Sequence, residues 1–134
     1  MSVGYVLDTN VISYAMRRRP EVLARLEAAM GSNAVLRLCP VVHYEILRGL
    51  LRTGNPIQRQ SYDDLLAVML WDDLRLRDWE AAAGLWHRSM ALGRPVGDAD
   101  LLLAAFAVNR EAVLVTNNSR HFAHLDIPLV DWAS

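Results

Sequence analysis

The sequence predicts an α/β fold, a sandwich of helices on a mainly parallel central sheet, and three observations carry that expectation. Short apolar runs without interruption stand at Val3 to Leu7 and at Val113 to Val115, as in strands buried on both faces. Between them lie segments whose apolar residues recur three and four apart, the stripe of an amphipathic helix. Strands and helices alternate, the order expected when helical crossovers join parallel strands. The 134 residues, 53% hydrophobic and 22% charged, fit one domain over 1–134 with a single core.

The first strand ends at Asp8-Thr9-Asn10. A helix runs to about Met16; Asp8 taken alone reads as its cap or a turn residue, and Thr9 or Asn10 can as easily cap it and leave Asp8 free. Val22, Leu23, Leu26 and Met30 set a helical stripe over Pro20 to Met30, with Gly31 as its C-terminal cap. Ala34 to Cys39 alternates around Arg37 as a second strand, closed by Pro40. Val41 to Arg52 is a helix carrying His43 and Glu45, stopped near Gly54. Asn55-Pro56-Ile57-Gln58 opens another, expected to reach Leu70, with Leu74 to Leu76 as a short strand. Asp78 is expected to cap a helix whose stripe is Trp79, Ala82, Ala83, Trp86 and Met90, the two tryptophans reading as core. Asp98 to Val108 is a helix, Val113 to Thr116 a strand, and Ile127 to Val130 the last strand.

Composition excludes several functions. The 14 basic residues are all arginine, so a phosphate-binding loop that needs lysine and Schiff-base chemistry are both ruled out. Cys39 is the single cysteine, which excludes an internal disulfide and a cysteine-rich zinc site. No apolar run approaches the roughly 20 residues of a membrane helix, and the opening strand runs straight into Asp8 rather than forming a secretory leader. A cytoplasmic protein with no membrane partner is the expectation. A net charge of −1 leaves any nucleic-acid contact to local patches.

The polar residues at the ends of these elements carry the chemistry. Asp8 follows a buried strand, at the sheet edge where α/β proteins bind ligands. Glu45 interrupts the apolar Val41–Leu47 segment, Asp98 and Asp100 open an almost wholly apolar helix, and Asn117-Asn118 follows the strand ending at Thr116. Each alone has an ordinary explanation: a cap, a pair with Arg48, a helix-dipole partner, a turn. Together they place three acids and an amide where a parallel sheet gathers its loops. Converging carboxylates repel, a divalent cation compensates them, and ligation by oxygen alone favours Mg²⁺ or Mn²⁺ over zinc. Gly49 sits mid-helix at a cost of about 1 kcal/mol relative to alanine, so a packing reason is expected for it.

The stretches YVLDTNVIS, VVHYEILRG, RPVGDADLLLAAFA and LVTNNSRHF, closed by IPLVDW, resemble the motifs of PIN-domain ribonucleases in order and spacing. More narrowly, residues 3–132 resemble the VapC-like toxins of type II toxin–antitoxin pairs. The resemblance implies a PIN-like α/β/α sandwich and a metal-dependent endoribonuclease that hydrolyses RNA phosphodiester bonds. It implies Mg²⁺, with Mn²⁺ able to substitute. Asp8, Glu45 and Asp100 match the catalytic acids, Asp8 and Asp100 as metal ligands and Glu45 directly or through water. The fourth acidic position falls at Asn118, whose amide adds no charge, and Asp98 is an extra acid suited to an outer shell. The implied partners are a VapB-like antitoxin, an RNA substrate such as tRNA or rRNA, and a second copy in a homodimer. The alternative is a catalytically inactive PIN-like module that binds RNA or protein. A haloacid-type phosphatase is set aside, because Asn10 stands where its second aspartate is needed.

Arg17-Arg18-Arg19 is the one basic run and the candidate for holding an RNA backbone. Arg94 and Arg120 flank other site segments. His43, His87, His121 and His124 have no triad partner at a supporting spacing; His121 and His124 lie near the expected site edge, but such histidines read as surface residues, like Ser13. Tyr14, Met16 and Trp71 are candidates for an apolar interface.

Overall fold

A computed structural model describes residues 3–133. Strands β1 (Gly4–Leu7), β2 (Val35–Leu38), β3 (Leu70–Trp71), β4 (Val113–Val115) and β5 (Leu129–Val130) form one sheet in the order β3-β2-β1-β4-β5. Every neighbouring pair is parallel, from Gly4 opposite Val35 to Val115 opposite Val130. Val6 and Leu7, which point to opposite faces, are both buried, as are Leu114 and Val115. Both faces of the sheet are therefore covered, and the apolar runs of the sequence are central strands.

The helices are α1 (Thr9–Met16), α2 (Pro20–Gly31), α3 (Pro40–Thr53), α4 (Pro56–Leu66), α5 (Leu76–Ala91), α6 (Asp98–Asn109) and the short α7 (Ser119–Phe122), followed by a 3₁₀ turn over Ala123–Leu125. Asn55 caps α4 through Ile57 N–H at 2.9 Å and Gln58 N–H at 3.3 Å, as its sequence suggests. Gly54 ends α3 at φ +62°, a left-handed position that glycine adopts without strain. Strand order runs outward from β1 through β2 to β3, then resumes on the other side with β4. The topological switch lies between β1 and β4, where such sheets hold ligands.

Several expectations are corrected. Helix α4 stops at Leu66, because Leu70 and Trp71 are drawn out to pair with Arg37 and Leu38. The edge strand is thus at 70–71 and not at 74–76, where Arg75 is instead the cap of α5. Asp78 sits in the first turn of α5 and accepts from the Arg75 N–H at 2.8 Å, closing a capping box from inside the helix. The last strand is confined to Leu129–Val130.

The tryptophans of α5 are not core. Its buried face is Asp78, Ala82 and Ser89, with Ala81 and Leu85 beside it. Trp79 and Trp86 are 54% and 48% exposed. What turns the helix this way is a buried ion pair. Arg110, just past α6, meets both Asp78 oxygens at 2.9 and 3.0 Å, Asp72 at 2.6 Å, and the carbonyls of Phe106 and Asp73. All five guanidinium donors are used, and the group stacks 3.7 Å over the Phe106 ring. Asn109 adds a bond of 2.8 Å to Asp78. Burial alone raises the Asp78 pKa. The bonds from Arg110, Asn109 and Arg75, with the Arg110 charge, outweigh that and hold it at about 2. No helix among the described residues is long and apolar enough to cross a membrane.

Candidate active site

Asp8 leaves the end of β1 with its N–H bonded to the Val115 carbonyl of β4 at 3.0 Å. Of the caps the sequence offers, Asp8 itself closes α1, its Oδ1 accepting from Val11 N–H at 2.9 Å. The cap fixes one oxygen without removing the carboxylate from the site. Burial is the largest influence on it and raises its pKa. The Thr116 hydroxyl and the Val11 and Asn10 N–H groups oppose that, while the charge of Asp100 adds to it. The last influence places the two carboxylates within electrostatic reach of each other.

Glu45, on α3, is brought to the same edge by packing of α3 against α1. Thr9 donates its hydroxyl to Glu45 Oε1 at 3.0 Å. Asp100, in the first turn of α6, is held by His121 Nε2 at 3.0 Å, and the ring of His121 lies edge-on to Phe122 at 5.2 Å. Asn118 caps no N–H with its side chain, and its own N–H donates to Thr116 Oγ1 at 3.0 Å. Asp8, Glu45, Asp100 and Asn118 line one cavity of about 180 Å³, together with Thr9, Asn10, Leu103 and Phe122. Four separate segments of the sequence thus meet in one place.

Among the described residues, no three His, Cys, Asp or Glu side chains close into a ready-made metal cage. The donor set still fits a hard cation. All four side chains offer oxygen. The Asp100 charge adds to the rise of the Asp8 pKa. Mg²⁺ is ordinarily held by one or two carboxylates with waters and substrate phosphate completing its shell.

Other expected residues fall outside this cavity. Asp98 is exposed at the start of α6 and does not line it. Asn117 turns away, donating to the Tyr14 hydroxyl at 2.8 Å. The arginine run is divided. Arg17 lines a neighbouring groove of about 270 Å³ that shares Thr9 and Glu45 with the cavity. Arg18 makes the bend at φ +61°. Arg19 is engaged with Glu21 at 2.6 Å and stacks 4.3 Å over Tyr14. Arg94 and Arg120 are exposed and line neither space. Gly49 opens onto the groove with no neighbour within 4 Å of an added Cβ, so the packing reason expected for it is absent. His43 is engaged with the Tyr62 hydroxyl at 2.6 Å.

The sequence marks Thr9 only as a candidate cap, and His121 as a surface residue near the site edge with no role assigned. The signal for His121 was its place one helical turn beyond Asn118, which turns it back toward the acids.

Residues 5–128 match the family model described as the PIN domain. The chain belongs to the PIN-domain family. Ribonuclease VapC1 of Haemophilus influenzae strain R2866 is 29% identical to it over 133 residues, covering 96% of this chain and 97% of that protein. VapBC-1 of nontypeable Haemophilus influenzae superposes with a TM-score of 0.82 at 26% identity, over 98% of this chain and 100% of the other. VapBC2 of Rickettsia felis, bound to a DNA fragment from its promoter, superposes at 0.86 with 24% identity, over 97% and 99%. The five-stranded parallel sheet is the fold of these structures, and the expected α/β/α sandwich stands.

Proposed function

We propose that this PIN-domain protein is an endoribonuclease that hydrolyses RNA phosphodiester bonds with the help of Mg²⁺ or Mn²⁺, and that it is the toxin of a VapBC-type pair. The observation that supports this most is the delivery of Asp8, Glu45, Asp100 and Asn118 from four segments into one cavity at the topological switch of the sheet. The likeness to a ribonuclease over nearly the whole of both chains gives the reaction its class. A divalent cation bound there supplies water activation and neutralises charge developing at phosphorus.

On this reading Asp8 and Asp100 hold the cation, each with one oxygen fixed by Val11 N–H or by His121. Glu45, oriented by Thr9, faces the cavity from the opposite segment and acts directly or through water. Asn118 contributes an amide oxygen without further charge. Asp98 stays outside this set unless it serves as an outer shell. Arg17, along the adjoining groove, offers a guanidinium to an RNA phosphate. A VapB-like antitoxin is the proposed partner, supported by the VapBC-1 assembly that this chain resembles. A homodimer acting on tRNA or rRNA in the cytoplasm completes the reading.

The test is cleavage of structured RNA by the purified chain in Mn²⁺, with EDTA as control and with Asp8→Asn and Asp100→Asn alongside. Cleavage that EDTA abolishes and both variants lose by more than about 100-fold supports it, since even groups behind metal ligands carry 10–100-fold. RNA binding without cleavage in Mn²⁺ and Mg²⁺ replaces it with a non-catalytic binding module.

A further inference from the structure

Between α1 and α3 a groove of about 270 Å³ runs on from the cavity of the acids, sharing Thr9 and Glu45 with it. Its walls are helix faces. Ser13 and Arg17 follow Thr9 at intervals of four, and Gly49 and Thr53 follow Glu45 in the same way. Met16 and the buried Ile46 and Leu50 make it apolar within. Arg17 and Arg52 stand exposed along it, and among the described residues neither is in an ion pair. Gly49 is the residue that the chain itself does not account for. Glycine weakens a helix interior, yet an added Cβ would meet no atom of this chain within 4 Å. The room that it leaves is room in the groove.

We propose that this groove seats one unpaired RNA base next to the bond that is cut, and that Gly49 sets the size of what it accepts. This rests on the endoribonuclease reading above and adds a specificity-determining residue to it. Glu45 and Gly49 lie four helical residues apart, a rise of about 6 Å, so whatever fills the groove adjoins the acids. Two guanidiniums outside any ion pair suit the phosphates of a strand entering or leaving it. The volume is below the roughly 300 Å³ at which pockets for drug-sized ligands begin, which fits a single base and excludes a duplex. Unstacked bases are recognised by their faces and their edges, and the groove offers partners for both. Its apolar side chains and the bare backbone at Gly49 meet a flat ring, with the Met16 sulfur suited to an aromatic neighbour. Two turns beyond Glu45, Gln58 accepts from the Thr53 hydroxyl at 3.3 Å, which leaves its NH₂ to donate to a base edge.

The test uses the full chain in Mn²⁺ and an RNA hairpin whose cleavage site in the loop has been mapped. Versions of that RNA carry an abasic nucleotide at each position flanking the cut. For the wild type, one abasic position should lower kcat/KM about tenfold, the scale of one stacked base. Gly49→Leu fills the groove. It should lower kcat/KM on the intact RNA about tenfold, through KM with kcat kept, and lose nothing further on that abasic RNA. Gly49→Ala adds a single methyl while favouring the helix and should fall between wild type and Gly49→Leu; should the leucine variant not fold, it decides alone. Gly84→Leu makes the same change in open space on α5, outside the groove, and should cleave as wild type does. Folded Gly49 variants that cleave the intact RNA as wild type does overturn the proposal and leave the groove to a protein partner. A loss equally large on intact and abasic RNA overturns it too, since Gly49 then shapes the site without seating a base. A wild-type chain that cleaves no RNA overturns the endoribonuclease reading itself, and this inference with it.

Discussion

At the scale of single residues, the site depends on side chains that serve two purposes. Asp8 caps α1 with one oxygen and lines the cavity, so asparagine, an equally good cap, should keep the fold while removing the charge. His121 does not line the cavity, yet it holds Asp100 at 3.0 Å. Groups that orient ligands from behind are typically worth 10–100-fold in metal affinity or activity. His121→Phe should therefore weaken Mn²⁺ binding, measured calorimetrically, by about 10–100-fold, and His121→Gln, which keeps a donor, should lose less. Equal affinities in all three proteins would return His121 to the surface role its sequence suggested. Arg17 is the member of the basic run placed along the groove. Arg17→Gln should weaken RNA binding and lower its salt slope by about one, whereas Arg19→Gln, already committed to Glu21 and Tyr14, should leave the slope near that of wild type.

At the scale of elements, α5 is set by the Asp78–Arg110 pair. The Asp78 carboxyl is held at about 2, below its ordinary 3.8. A depressed carboxyl stabilises the fold above the unfolded-state value and loses that contribution as pH falls from about 4 toward 2. The shift corresponds to about 2 kcal/mol. Arg110→Met should destabilise by about 3–5 kcal/mol at neutral pH, because it strands a buried carboxylate. The gap between variant and wild type in chemical denaturation should narrow as pH drops through that window. A gap independent of pH would mean that the pair contributes packing alone. This ion pair also explains what was hidden from sequence. Apolar periodicity found α5 but cannot say whether a stripe faces the chain's own core or a partner. The charged residues that settle the rotation lie about 32 positions apart in the chain. The central strands were legible because burial on both faces leaves an unbroken apolar run. The two-residue β3 was not, since its pairing with β2 leaves no local pattern.

At the scale of the molecule, the four polar segments were legible because each ends an element at the same edge of a parallel sheet. The bonds that orient them, Thr9 to Glu45 and His121 to Asp100, span 36 and 21 positions and leave no periodic trace. The central claim is that this edge binds a divalent cation, and the melting temperature in Mn²⁺ against EDTA tests it most directly. A cation at about a hundredfold excess over its dissociation constant should add about 2.7 kcal/mol to the wild-type fold. Asp8→Asn combined with Asp100→Asn should abolish that gain and melt no lower than wild type in EDTA, since repulsion is relieved. Asn118→Asp should melt lower than wild type in EDTA and rise more steeply with Mn²⁺, because added carboxylate charge tightens hard-cation binding and adds repulsion without it. Equal Mn²⁺ shifts in all three proteins would contradict the account.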